Sequence, residues 1–125
     1  MATSTIKKPP LNTVWTDVSG NIVNNYIVTT SASRVQYRVR NDICFLRLSG
    51  ITLATVPSAD TTILTGLPKP SGGVSLSTRV ITNADKNHAL TITPTNDNTA
   101  GVLRTNPSSD TTGILYECIS YPVEN

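Results

Sequence analysis

The stretch "VQYRVRNDICFLRLSG", residues 35 to 50, decides the fold class of this chain. Apolar and polar residues alternate on both sides of Asn41 and Asp42, and a period of two residues is typical of a half-buried β-strand. Asn and Asp both tolerate the left-handed backbone conformation that a two-residue hairpin turn requires. The stretch therefore predicts two antiparallel strands joined by a tight turn.

The register of this hairpin follows from the length of its turn. A slip by one residue would mix apolar and polar side chains on both faces, so a clean separation of the two sets supports the register. The predicted apolar face pairs Val39 with Cys44, Tyr37 with Leu46 and Val35 with Leu48, and the opposite face pairs Arg40 with Ile43, Arg38 with Phe45, Gln36 with Arg47 and Arg34 with Ser49.

Strand-like runs continue through the rest of the chain, separated by clusters of turn residues. They recur about every ten residues and no helical period interrupts them, which is the pattern of an all-β sandwich or barrel. We therefore predict an antiparallel β-barrel or sandwich. The further runs are residues 11–18, 22–30, 61–67, 74–82, 88–94, 101–105 and 114–122.

The segment "LPKPSGG", residues 67–73, could be a linker, a proline-rich ligand or a corner. A linker needs a separate core on each side, but the strands before and after it share one pattern. A proline-rich ligand needs Pro-x-x-Pro spacing, which is absent here. We interpret the segment as a corner where Leu67 ends a buried strand and the Gly72-Gly73 pair turns the chain. The expected organisation is an N-terminal lead-in or attachment segment, residues 1–30, followed by one β-domain, residues 31–125.

Composition excludes several classes of function. The net charge is +2, and nucleic-acid binding needs a larger, clustered basic face. No stretch is long and apolar enough to insert in a membrane, and the N-terminus lacks the apolar core of a secretory signal. Cys44 and Cys118 have neither the number of a disulfide framework nor the spacing of a metal site. We expect synthesis and folding in a reducing cytoplasm, with no nucleic-acid partner, metal or cofactor.

Catalytic motifs are missing. The chain has one histidine, His88, and no nucleophile elbow, zinc-protease helix or phosphate-binding glycine loop. The stretch "TNDNTAG", residues 95–101, lacks the acidic spacing and closing Glu of a calcium loop. We predict that the protein is not an enzyme.

Candidate ligand-binding residues fall into three groups, each with a structural alternative. Arg38, Arg40 and Arg47 share a hairpin face with Arg34 and could hold a phosphate or an acidic sugar. The simpler interpretation of that face is a solvated surface, or a subunit contact through Ile43 and Phe45. Trp15 could stack on a sugar, although a core anchor is the expected role. Asp85, Asn87 and His88 could hydrogen-bond sugar hydroxyls, or simply form a surface loop.

Residues 34–122 resemble the C-terminal head domain of receptor-binding proteins on the tails and baseplates of siphophages that infect Gram-positive bacteria. The resemblance is carried by short motifs. They are the Tyr37 strand, the turn at Asn41, the stretch Gly50-Ile51-Thr52, the run from Thr61 to Pro68 followed by Pro70, and the closing Tyr121-Pro122.

The resemblance implies a function and a location. It implies a homotrimeric antiparallel β-barrel head that binds host cell-surface saccharide, often in a crevice between protomers. It also implies a viral protein of the bacteriophage virion, carried on a tail fibre or baseplate among other tail proteins and made in the bacterial host cytoplasm. The alternative is a structural virion protein, fibre-associated or decorating a capsid, without a sugar site.

Overall fold

Two antiparallel β-sheets form the computed structural model, which describes residues 9–54, 61–105 and 112–124. No α-helix occurs in these ranges, although single 3₁₀ turns span Ser19–Asn21 and Ser71–Gly73. The all-β prediction is confirmed. The strands are β1 (Thr16–Asp17), β2 (Ile27–Val28), β3 (Arg34–Arg40), β4 (Ile43–Leu53), β5 (Thr61–Leu67), β6 (Leu76–Ile81), β7 (Asn87–Pro94), β8 (Gly101–Thr105) and β9 (Leu115–Pro122).

The first sheet is built around β4, which pairs with β3, β9 and β2, while β1 pairs with β3. All seven predicted pairs of the β3–β4 hairpin are observed, from Arg34 opposite Ser49 to Arg40 opposite Ile43. Asn41 and Asp42 have φ angles of 49° and 64°, the left-handed conformation expected for the turn. Gly50 has a φ of 69° and lies at a register shift between β4 and β9. The shift is a β-bulge, where glycine is favoured because it adopts a positive φ readily.

The second sheet has the strand order β5-β8-β7-β6. The consecutive strands β5 and β6 therefore lie at opposite edges, and the corner between them must cross the width of the sheet. Gly72 and Gly73 have φ angles of 77° and 65°, so the predicted glycine turn is confirmed. Within the corner, Pro70 forms an isolated antiparallel bridge with Val123.

One hydrophobic core joins the inner faces of the two sheets. Its members are fully or nearly fully buried and come from both sheets, for example Leu46 and Leu48 in the first and Leu90 and Leu103 in the second. On β9, Leu115, Ile119 and Tyr121 are buried and define the inward face of the strand. The two sheets do not close into a barrel, so the barrel alternative is wrong and the sandwich-like alternative describes the fold.

The N-terminal segment contributes to this core. Val18 and Ile27 are buried in it, and β1 and β2 pair with strands that follow residue 30. Both strands are shorter than their sequence runs. In the second run the interruption comes from Asn24 and Asn25, which adopt positive φ angles of 54° and 56°. The division at residue 30 stays a prediction.

Candidate functional site

The outer face of the first sheet carries an open depression of about 370 Å³. We call it the Trp15 depression. Its lining combines two aromatic side chains, three guanidinium groups and a thiol. The lining residues are Trp15, Arg38, Arg40, Phe45, Arg47 and Cys118.

Strand pairing explains why these residues meet. Thr16 lies opposite Tyr37 in the antiparallel pair of β1 and β3. One residue further in each direction, the same register places Trp15 beside Arg38. Within the hairpin Arg38 lies opposite Phe45, and Arg47 lies opposite Cys118 of β9. Four sequence candidates, Trp15, Arg38, Arg40 and Arg47, are thus brought to one place by β1, β3 and β4.

The indole ring of Trp15 holds two of the arginines. The guanidinium carbon of Arg47 is 4.0 Å from the ring centroid, and that of Arg38 is 5.5 Å away. Both distances allow a cation–π attraction. Arg47 Nη1 also donates a 2.8 Å hydrogen bond to Gln36 Oε1, so its guanidinium is held by a ring and an amide. The core role expected for Trp15 is not observed, because Trp15 is only half-buried and lies outside the core cluster.

Positive charge dominates the Trp15 depression. In residues 9–54, 61–105 and 112–124 the only ion pair joins Lys69 and Glu124, at 3.6 Å, so none of the lining arginines has a carboxylate partner there. Asp17 follows Trp15 by two residues, but its carboxylate accepts hydrogen bonds from the backbone N–H and the hydroxyl of Ser19. Arg38 Nε is buried without a hydrogen-bond partner among the described residues. Such a face attracts anions.

The third candidate group is not assembled in the same way. His88 is buried on the inner side of β7, opposite Val80, while Asp85 and Asn87 are exposed. Asp85 has a φ of 60° and its backbone N–H donates to the Thr82 carbonyl, which makes it a turn residue. The histidine ring therefore does not join the other two at the surface, and we retain only the turn role for this loop.

Metal chemistry finds no support in the loop at residues 95–100. Both the Thr95 and the Thr99 hydroxyls donate to the Asp97 carboxylate, and these bonds, that of Thr95 foremost, lower the pKa of Asp97. The Asp97 carboxylate is thus engaged by hydroxyl groups of its own loop. Across the described ranges no group of three or more His, Cys, Asp or Glu side chains could hold a metal ion.

Sequence reasoning did not include three residues of the site. Phe45 and Cys118 line the depression, and Gln36 holds Arg47 by a hydrogen bond. The hairpin register places Phe45 and Gln36 on the arginine face, so that signal was available. Cys118 could not be found, because nothing local to β9 indicates that it pairs with β4.

No protein-family model matches the chain, and no curated protein or solved structure shows significant similarity to it. The resemblance to phage receptor-binding heads therefore remains a prediction from the quoted motifs. Within the described ranges, no helix is long and apolar enough to cross a membrane.

Proposed function

We propose that this protein is a bacteriophage receptor-binding protein, and that its Trp15 depression binds an anionic saccharide of the host cell surface without covalent chemistry. The observation that carries the proposal is the Arg47 guanidinium stacked 4.0 Å from the Trp15 ring centroid, with Arg38 and Arg40 beside it. The viral setting rests on the sequence resemblance alone.

The chemistry of the depression fits such a ligand. A guanidinium matches the oxygens of a phosphate or carboxylate group in geometry and charge. The exposed parts of Trp15 and Phe45 supply apolar area for the C–H face of a sugar ring. The ring and Gln36 hold Arg47 in place before binding, which lowers the entropy lost when a ligand is clamped.

Trimer formation belongs to the same proposal. A single shallow, solvent-open depression binds weakly, and three copies on one particle raise the avidity by the effective concentration of linked sites. We expect a homotrimer attached to other tail or baseplate proteins. Light scattering of the purified protein tests this, and a monomeric mass contradicts it.

Binding is tested by calorimetry of the purified protein with a sugar phosphate and with the matching neutral methyl glycoside. We expect the sugar phosphate to bind more tightly, and Arg47→Gln to weaken that binding by roughly 10-fold or more, because a charge-assisted hydrogen bond is lost. Arg79→Gln is the matched control, since Arg79 is exposed on β6 of the other sheet and the substitution changes the net charge equally.

The outcomes separate the alternatives. Equal weakening by the two substitutions would indicate a general charge effect and contradict a site at Trp15. Absence of binding to sugar phosphates and to isolated cell walls would favour the structural virion protein. Release of new sugar ends from cell-wall polysaccharide by the purified protein would contradict the prediction that it is not an enzyme.

A further inference from the structure

The outer face of the second sheet carries hydroxyl groups in rows that run across the strands. The registers place Ser77 opposite Thr91, Thr91 opposite Arg104, and Arg104 opposite Thr62, so one row crosses all four strands. In the adjacent row the Ser75 hydroxyl donates a 2.8 Å hydrogen bond to Thr93, and Thr93 lies opposite Val102. This face points away from the Trp15 depression, because the two lie on opposite sides of the core.

A groove of about 400 Å³ lies between these rows and the start of the loop that follows β7. Its polar lining includes the hydroxyls of Thr62 and Thr93, the amide of Asn96 and the guanidinium of Arg104. Val102 and Pro94 add apolar surface. A smaller depression of about 150 Å³ adjoins it and shares Thr93 and Arg104.

The lining of this groove differs chemically from that of the Trp15 depression. Among its described lining residues there is neither a carboxylate nor an aromatic ring, and most of the polar groups are hydroxyls. Hydroxyls both donate and accept hydrogen bonds, as sugar hydroxyls do. The Thr62 hydroxyl makes no hydrogen bond to any residue in the described ranges. The lining of this groove is half-buried, apart from Asn96, which is exposed.

We infer that this groove is a second binding site, which takes an uncharged saccharide ring. The ring hydroxyls exchange hydrogen bonds with Thr62, Thr93 and Asn96, and the C–H face of the ring covers Val102 and Pro94. The groove is large enough to hold one hexose, and the adjoining depression accepts a substituent. The inference does not depend on the anionic site proposed for Trp15.

The test is a chemical-shift titration of the ¹⁵N-labelled protein with neutral methyl glycosides of glucose, galactose and N-acetylglucosamine at millimolar concentration. We expect the amides of Thr62, Thr93, Val102 and Arg104 to move, while the Trp15 indole N–H stays in place. The double substitution Thr62→Val and Thr93→Val should weaken this binding by about 10-fold, because it removes two hydrogen-bonding hydroxyls and keeps the β-branched shape that strands favour.

Two controls make the result specific. Thr52→Val makes the same chemical change on β4 of the first sheet, away from the groove, and should leave the titration unchanged. Trp15→Ala should also leave it unchanged, even if it abolishes binding of sugar phosphates. The inference is overturned if no glycoside moves the groove amides, if the shifts centre on the Trp15 face, or if the double variant binds as tightly as the original protein.

Discussion

The hydroxyl of Tyr121, on the last strand of the first sheet, donates a 2.9 Å hydrogen bond to the backbone carbonyl of Pro68 in the corner that follows β5. The bond joins the two sheets, because a buried side chain of the first sheet donates to a half-buried carbonyl in the corner of the second. Burial raises the pKa of Tyr121 far above its usual range, so the donor keeps its proton under all ordinary conditions.

Tyr121→Phe should therefore destabilise the protein by about 1–2 kcal/mol, because it leaves the Pro68 carbonyl without its donor. Urea unfolding followed by circular dichroism measures the change in the free energy of unfolding. Tyr116→Phe is the matched control, since Tyr116 is 61% exposed and should show almost no effect. Equal losses in the two variants would contradict the role given to the bond.

Gly101→Ala should be strongly destabilising, by about 1–3 kcal/mol. A Cβ atom at this position would lie 2.5 Å from the Pro68 carbonyl oxygen and 3.3 Å from the Pro70 ring, so the corner would have to move. At Gly20 an added Cβ meets nothing within 4 Å. Gly20→Ala should leave the thermal midpoint nearly unchanged, and a similar fall in both variants would show that contact with the corner is not the cause.

Asn41→Ala should cost about 1–2 kcal/mol, because alanine pays the steric penalty of the left-handed conformation at a φ of 49°. Asn41→Gly should not, because glycine adopts that conformation freely. Both variants keep the backbone hydrogen bond from residue 41 to Asn12 Oδ1, so comparing them isolates the turn conformation. Chemical unfolding in which the two variants match would contradict a type I′ turn.

Stability should fall between pH 9 and pH 11. Burial raises the pKa of Cys44 from 9.0 to about 11, so in this window the unfolded chain loses the thiol proton while the native state keeps it. The unfolded state then binds fewer protons, and the free energy of unfolding decreases by up to about 2–3 kcal/mol. Below pH 9 the stability that is linked to the raised pKa of Cys44 is fully present. The raised pKa of Tyr121 acts in the same direction at higher pH.

Cys44→Ala checks the assignment. The variant is less stable at every pH because it leaves a cavity in the core, but its stability should depend less on pH between 9 and 11. Urea midpoints measured across this range test the difference in slope. If the urea midpoints of the two proteins fall in parallel as the pH rises, Cys44 is not the source of the pH dependence.

Cys118 offers a direct report on the Trp15 depression. It is the exposed cysteine of the two, whereas Cys44 is buried, so iodoacetamide should modify one thiol in the native protein and both after denaturation. A sugar phosphate that fills the depression should slow the modification of Cys118. Mass spectrometry of the alkylated protein measures both, and an unchanged rate at saturating ligand would place the ligand elsewhere.

The β3–β4 hairpin could be predicted residue by residue because its determinants are local. Alternation fixes the faces, and the Asn41-Asp42 turn fixes the register. The arginine face followed from that register, and with it four of the six residues that line the Trp15 depression.

Pairings between distant segments could not be read in this way. Trp15 reaches the arginines only because β1 pairs with β3, and the polar residues around it do not indicate which face it occupies. The burial of His88 is different, because His88 alternates onto the same face of β7 as the buried Leu90 and Ile92, so it follows from local periodicity. A barrel and a pair of open sheets have the same strand pattern in sequence, so only the three-dimensional pairing decides between them.

The corner after β5 also places a constraint on synthesis. Pro68, Lys69 and Pro70 are held by Tyr121, Val123 and Glu124, which the ribosome adds more than fifty residues later. During translation the corner emerges without its partners, and the two sheets cannot lock together until Glu124 has left the ribosome. Until β9 is available the first sheet is incomplete and one edge of β4 is unpaired, so the nascent chain has to keep that edge from pairing with other strands, and chaperone demand should fall once these last residues are free.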